Sequence, residues 1–157
     1  MAYYQQLLGK TYLYKLRSNA DTTVAAFTIS NASIRVDDLP NSRKKKIEHD
    51  IPYQKTCRNY PAVLIGRLGV SRDFQDRHVG SEIIEFVKYW FIEPNNKTGC
   101  RFVLVDAYNT PSTIKFYEKN GFKMMFSSEE QEIQYRRLKP EVLLKTRIMY
   151  FDLISLY

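Results

Sequence analysis

Gly66-Arg67-Leu68-Gly69-Val70-Ser71-Arg72-Asp73-Phe74-Gln75-Asp76-Arg77-His78-Val79-Gly80-Ser81 is the stretch that decides how this chain is read. The apolar run that leads into it, Ala62 to Val70, breaks into a polar turn and reopens as a helix. A nearly continuous apolar run belongs to a strand covered on both faces, which places Ala62 to Val70 at the centre of a sheet. The helix that follows, Gly80 to about Glu93, sets Ile83, Ile84, Val87, Trp90 and Phe91 along one apolar stripe, with Glu82, Glu85, Lys88 and Tyr89 mostly off it. At a helix start the first backbone N–H groups lack intrahelical partners, and the positive end of the macrodipole lies behind them. The turn therefore reads as a cradle for a pyrophosphate, with an ordinary capped helix as the plainer reading.

Working outward, Pro94 to Gly99 turns the chain into Arg101–Ala107, a second buried strand. Strand, helix and strand in this order predict a parallel pair with a right-handed crossover. Thr110-Pro111-Ser112 opens another helix, which stops at Asn120-Gly121. Phe122–Phe126 predicts a short strand, Glu129–Lys139 a loop or short helix, and Arg147–Ile154 the strand that closes the sheet. Upstream, Tyr12–Leu16 and Val24–Ser30 flank Ser18-Asn19-Ala20-Asp21 and predict an antiparallel hairpin. Asp37–Asp50 predicts a short basic helix with Asn41 or Ser42 as its N-cap, and Ile51–Tyr60 a loop between the breakers Pro52 and Pro61.

Residues 1–157 have room for one domain with a full core, and the chain is read as a single domain. A hydrophobic content of 44% excludes a disordered chain, and no apolar run is long enough to cross a bilayer. Met1-Ala2-Tyr3-Tyr4-Gln5-Gln6 lacks the basic and then apolar pattern of an export signal, so a cytoplasmic enzyme of bacterial type with no membrane association is expected. Cys57 and Cys100, with His49 and His78, show no ligand spacing; the cysteines read as small buried hydrophobes and no metal is expected. The net charge of +7 favours anionic partners, a nucleotide-bearing cofactor or RNA. Arg43-Lys44-Lys45-Lys46, the densest basic cluster, reads as a solvated helix face ahead of a nucleic-acid site.

The order of elements, the strand Leu68-Gly69-Val70, the turn Gln75 to Gly80 and the helix end Phe116-Tyr117-Glu118-Lys119-Asn120-Gly121-Phe122 resemble the GNAT superfamily of acyl-CoA-dependent N-acetyltransferases. The resemblance implies an α/β (α+β) GNAT fold: a mixed, mostly antiparallel sheet with a central splayed parallel strand pair and flanking helices. It implies acetyl-CoA as cosubstrate, its pantetheine arm lying along Leu68, Gly69 and Val70 like an added strand. The pyrophosphate would rest on Gln75, Asp76, Arg77, His78, Val79, Gly80 and Ser81, with Asn109 touching the pantetheine or the helix start. His78 stands where the family commonly places its first glycine and Asp76 where many members carry glycine; Arg72 and Arg77 are expected to offset this by binding phosphate oxygens.

By the same resemblance Tyr117 matches the acid that protonates the departing thiolate, and the N–H of Val70 matches the oxyanion donor. No general base is legible, which points to an acceptor amine of low pKa. The implied function is acetyl transfer to a primary amine by direct attack. Arg67-Leu68-Gly69-Val70, Asp38-Leu39-Pro40 and Tyr60 to Leu64 look most like bacterial toxin-type members, so one alternative is an acetyltransferase of aminoacyl-tRNA partnered by an antitoxin. The other is a non-catalytic CoA- or RNA-binding module on a decayed scaffold. With about ten residues before the first strand, the chain reads as short at its N-terminus, and a homodimer or an incomplete acceptor side is expected.

Overall fold

A computed structural model describes residues 6–52 and 58–157. The predicted hairpin is β1 (Lys10–Lys15) and β2 (Thr23–Arg35). A 3₁₀ turn at Val36–Asp38 leads to α1 (Asn41–Glu48), then β3 (Asn59–Val70), a second 3₁₀ turn at Arg72–Phe74, and α2 (Val79–Ile92). The chain continues through β4 (Phe102–Tyr108), α3 (Pro111–Lys119), β5 (Lys123–Met124), α4 (Glu129–Arg136) and β6 (Thr146–Asp152). The strands form one sheet in the order β1-β2-β3-β4-β6-β5. Among the described residues only β3 and β4 pair in parallel, as the intervening α2 requires; the remaining neighbours are antiparallel.

Helices α2 and α3 cover one face of the sheet, where Phe27, Ile83, Ile84, Val87, Val105 and Met149 are almost wholly withdrawn from solvent. Each such side chain contributes roughly 1.5–3 kcal/mol by burial. Tyr12 stacks on Phe27 at 5.2 Å and meets the edge of Trp90 at 5.1 Å, which fixes the outer strand against α2. The opposite face is a second core under α1 and α4, built on Ile34, Ile47, Phe102, Met125 and Phe126.

Several expectations are corrected. Asn41 and Ser42 do not cap α1; they lie inside its first turn, and Pro40 occupies the cap position without a side-chain bond. Pro61 does not break the chain but sits within β3. Its carbonyl accepts from the N–H of Arg101 at 3.1 Å, so its missing N–H falls on that same side, before the β4 ladder begins at Phe102. Of the two readings of 129–139 the short helix holds, Glu129–Arg136, capped by the Ser128 side chain and ended by Arg137 in the left-handed conformation. β5 shortens to two residues because Met125 and Phe126 turn into the second core, Phe126 packing on Tyr135 at 5.0 Å. Lys88 is not off the apolar stripe of α2: it is 4% exposed, its Nζ donating to Glu85 at 2.6 Å and to the Asn120 carbonyl at 2.7 Å, over the ring of Phe151. Cys57 and the first five residues lie outside the described residues.

Candidate active site

The β3–β4 ladder joins Ala62–Ile65 to Phe102–Val105 and then stops, although both strands continue. Thr28 of β2 faces Arg67 while Ile29 faces Ile65, so Gly66 is an extra residue on β3, a bulge that bends the strand at the point where the ladder ends. Past the bulge β3 stays with β2 and β4 stays with β6, and a V-shaped gap opens between them. The N–H of Ser71 donates to the carbonyl of Val24 at 2.8 Å. Because bonded and non-bonded pairs alternate along an antiparallel ladder, Gly69 also bonds toward β2, while the N–H and C=O of Leu68 and Val70 turn into the gap. The Val70 carbonyl there accepts from the Gln75 side chain at 3.2 Å.

At the wide end of the gap the chain enters α2 through a turn with two left-handed residues, Asp76 (φ 58°) and His78 (φ 61°). Left-handed residues on either side of Arg77 curl successive N–H groups toward one point, the geometry of an anion nest. The first bond of α2 runs from the N–H of Glu82 to the His78 carbonyl, so the N–H groups of Val79, Gly80 and Ser81 precede the helical ladder. This explains why a glycine suits 76 and 78 and how other residues stand there: aspartate is among the residues that tolerate this conformation, and both side chains are exposed. Gly80 is needed for a different reason. A Cβ on it would lie 3.1 Å from the ring of Phe116 on α3, in the throat between the helices.

The gap and the turn form one cleft of about 1240 Å³. Among the sequence-predicted residues, Leu68, Gly69, Val70, Gln75, Asp76, His78, Val79, Gly80, Ser81 and Tyr117 line it. Arg77 and Asn109 do not: the Arg77 guanidinium lies over the Phe74 ring, and the Asn109 amide is bonded to Glu129 and the Leu144 carbonyl. Arg72 is exposed outside the lining as well. Tyr117 is 8% exposed, and its hydroxyl has no hydrogen-bond partner among the described residues. Burial raises its pKa above the ordinary phenol value, so the hydroxyl stays protonated at neutral pH and can donate. Asn120 ties the site together: its amide donates to Ser81 at 3.2 Å and to the Phe116 carbonyl at 2.8 Å, while Lys88 holds its carbonyl.

Sequence reasoning missed the far lip of the cleft, Asp106, Tyr108 and Thr146, together with Thr113 and Lys119 of α3. A signal was present for two of these: Asp106 and Tyr108 are the polar alternates at the end of an otherwise apolar strand. A second, smaller cavity of about 380 Å³ lies between the end of α2 and the chain after β6 and shares no lining residue with the cleft. Among the described residues no cluster of metal-ligating side chains occurs, and no helix is long and apolar enough to cross a membrane.

A parallel pair parted by a bulge, with main-chain groups turned into the gap on one lip and an anion nest at its wide end, makes a cleft suited to an extended ligand with an anionic end. In this chain residues 47–124, from α1 to β5 and including both lips, match the family described as acetyltransferase (GNAT) domain. Its fold is shared with toxin acetyltransferases of known structure. AtaT complexed with acetyl-methionyl-tRNAfMet superposes with a TM-score of 0.69 at 16% identity, over 98% of this chain and 76% of that one. A tyrosine-to-phenylalanine mutant of KacT gives 0.67 at 18%, over 98% and 78%, and an AtaTR complex bound with acetyl-CoA gives 0.59 at 18%, over 97% and 74%. No curated protein matches by sequence.

Proposed function

We propose that this domain transfers the acetyl group of acetyl-CoA to the amino group of an aminoacyl-tRNA by direct attack. The observation that carries the cofactor assignment is the cleft itself: Leu68 and the N–H of Val70 turn main-chain groups into the gap, where the amides of a pantetheine arm can pair with them, the Val70 carbonyl is engaged by Gln75, and that lip ends at the nest before α2. The residues present fit the group, since Gly80 leaves open the throat beside Phe116 and the Asp76 and His78 side chains are exposed.

In this mechanism the nest at 76–81 neutralises the pyrophosphate, and the Leu68–Val70 lip aligns the thioester. An N–H of the lip upstream of Val70, where an arm anchored at the nest carries its thioester, would donate to the carbonyl oxygen as it gains charge, a contact stronger in the tetrahedral intermediate than in the ground state; Val70 itself lies too close to the nest for the oxyanion role expected of it. Tyr117 gives its proton to the departing sulfur as the C–S bond breaks.

The acceptor assignment rests on the net charge of +7, on the fold shared with AtaT, which was solved with acetyl-methionyl-tRNAfMet, and on the chemistry of α-amines, whose pKa near 8 leaves a useful neutral fraction without a strong base. The structure of an AtaT mutant toxin bound to the C-terminus of the antitoxin AtaR supports an antitoxin partner here, and a charged-tRNA acceptor agrees with a cytoplasmic site of action. The test is acetyl transfer from labelled acetyl-CoA to a panel of charged tRNAs and, in parallel, to polyamines and lysine peptides. Labelling of charged tRNA is expected; labelling confined to the small amines would retain the transferase and remove the tRNA acceptor.

A further inference from the structure

The cleft is built for a polyanion, yet its lining contains two carboxylates, Asp76 on the exposed turn and Asp106 at the opposite end. Asp106 is the first residue of β4 beyond the parallel ladder, directly at the apex of the V where β3 bulges. It is also fastened there. Arg136 of α4 donates through Nη2 to Asp106 Oδ1 at 3.0 Å, and Arg136 is itself gripped by Glu132, with Nε at 3.0 Å and Nη2 at 2.7 Å from Oε1. Glu132 is 0% exposed and fixed further by Arg147 and by the N–H of Ile148, both at 2.7 Å. The Asp106 side chain is 40% exposed, and its second oxygen has no partner among the described residues.

This inference rests on the cofactor reading above. A pantetheine arm that starts at the nest and runs back along the lip from Val70 to Gly66 covers four residues of strand, about 13 Å at roughly 3.3 Å per residue. Its reactive end is thereby delivered to the apex, beside Asp106. We propose that Asp106 binds the amino group of the acceptor as its ammonium and keeps hold of it through an N–H once one proton has passed to water, so that the neutral amine is aimed at the thioester, and that Arg136, held by buried Glu132, is the positioning residue that fixes the carboxylate. The network faces α4 and β6 rather than the nest, so acceptor orientation and cofactor binding are carried by separate groups.

The probes are two CoA derivatives, one with a 2-aminoethyl group on sulfur, which sets an ammonium where the attacking amine would stand, and its neutral S-propyl counterpart. Calorimetry on the full chain is expected to show the aminoethyl derivative bound about tenfold or more tighter, the range of a charge-assisted hydrogen bond. Asp106→Asn should erase that preference while leaving S-propyl-CoA affinity unchanged, which also shows that the variant is folded. Arg136→Met should weaken the preference and Arg136→Lys should restore part of it, a rescue that a merely structural role would not produce. Equal binding of both derivatives by the unaltered protein, or an undiminished preference in Asp106→Asn, overturns the proposal. Failure of both derivatives to bind overturns the cofactor reading, and this inference with it.

Discussion

Replacing Glu132 by Gln removes the charge at the centre of the α4–β6 junction. Glu132 accepts from Arg136 twice, from Arg147 and from a backbone N–H, all between 2.7 and 3.0 Å, at a site closed to solvent. The amide would leave two guanidinium groups without their shared carboxylate and turn donors of its own toward one of them. Breaking a buried pair in this way costs about 3–5 kcal/mol. Arg136 keeps Asp106 at 3.0 Å and Arg147 keeps Glu129 at 3.8 Å, which places the loss near the lower end, about 3 kcal/mol. In a chain of this size each kcal/mol lowers Tm by roughly 2–4 °C, so the melting temperature should drop by about 6–12 °C. Scanning calorimetry at neutral pH, with exposed Glu118→Gln as the control, measures it. A drop of less than about 2 °C would refute the claim that this carboxylate organises the junction.

Three further outcomes are expected. Tyr117→Phe should change stability by less than about 0.5 kcal/mol, because no described residue bonds its hydroxyl, and should keep acetyl-CoA affinity while lowering kcat by about a hundredfold or more; an unchanged kcat removes the acid role. Gly121→Ala places a Cβ 3.0 Å from the Phe151 ring at φ +83°, and should lower the urea midpoint by the equivalent of at least about 1 kcal/mol; an unshifted midpoint would contradict the left-handed stop of α3. Burial pushes the Cys100 thiol up to about 11, so in a Cys57→Ser background it should alkylate slowly at pH 8 and faster as pH rises toward that value. Its raised pKa also fixes a sign: the contribution to stability is complete below the unfolded thiol value near 9 and is lost as pH climbs through about 11; stability constant across that window would contradict it.

What the sequence revealed and what it hid follow from range. The central strand, the crossover helix and the parallel return were legible because their apolar periodicity is local, and the polar turn before α2 because it interrupts that pattern between Val70 and Gly80. Lys88 and Glu132 were not legible. Each is a charged residue whose burial depends on partners supplied from elsewhere in the chain, the Asn120 carbonyl and Phe151 ring for one, Arg147 and the Ile148 N–H for the other. The far lip of the cleft stayed hidden because Asp106 and Thr146 come together only when β6 inserts between β4 and β5. Asn109 illustrates the converse: its position near a helix start suggested cofactor contact, but Glu129 and Leu144 engage its amide.

The most direct test is calorimetric titration of the unaltered chain and of Gly80→Glu with acetyl-CoA, each first shown by melting to be folded. The substituted side chain would enter the throat 3.1 Å from Phe116 and bring a negative charge to the nest. Micromolar binding by the unaltered chain that vanishes in the variant is the predicted result. Equal affinity in both, or no binding by the unaltered chain, would contradict the assignment of the turn at 75–81 as the cofactor's anchor.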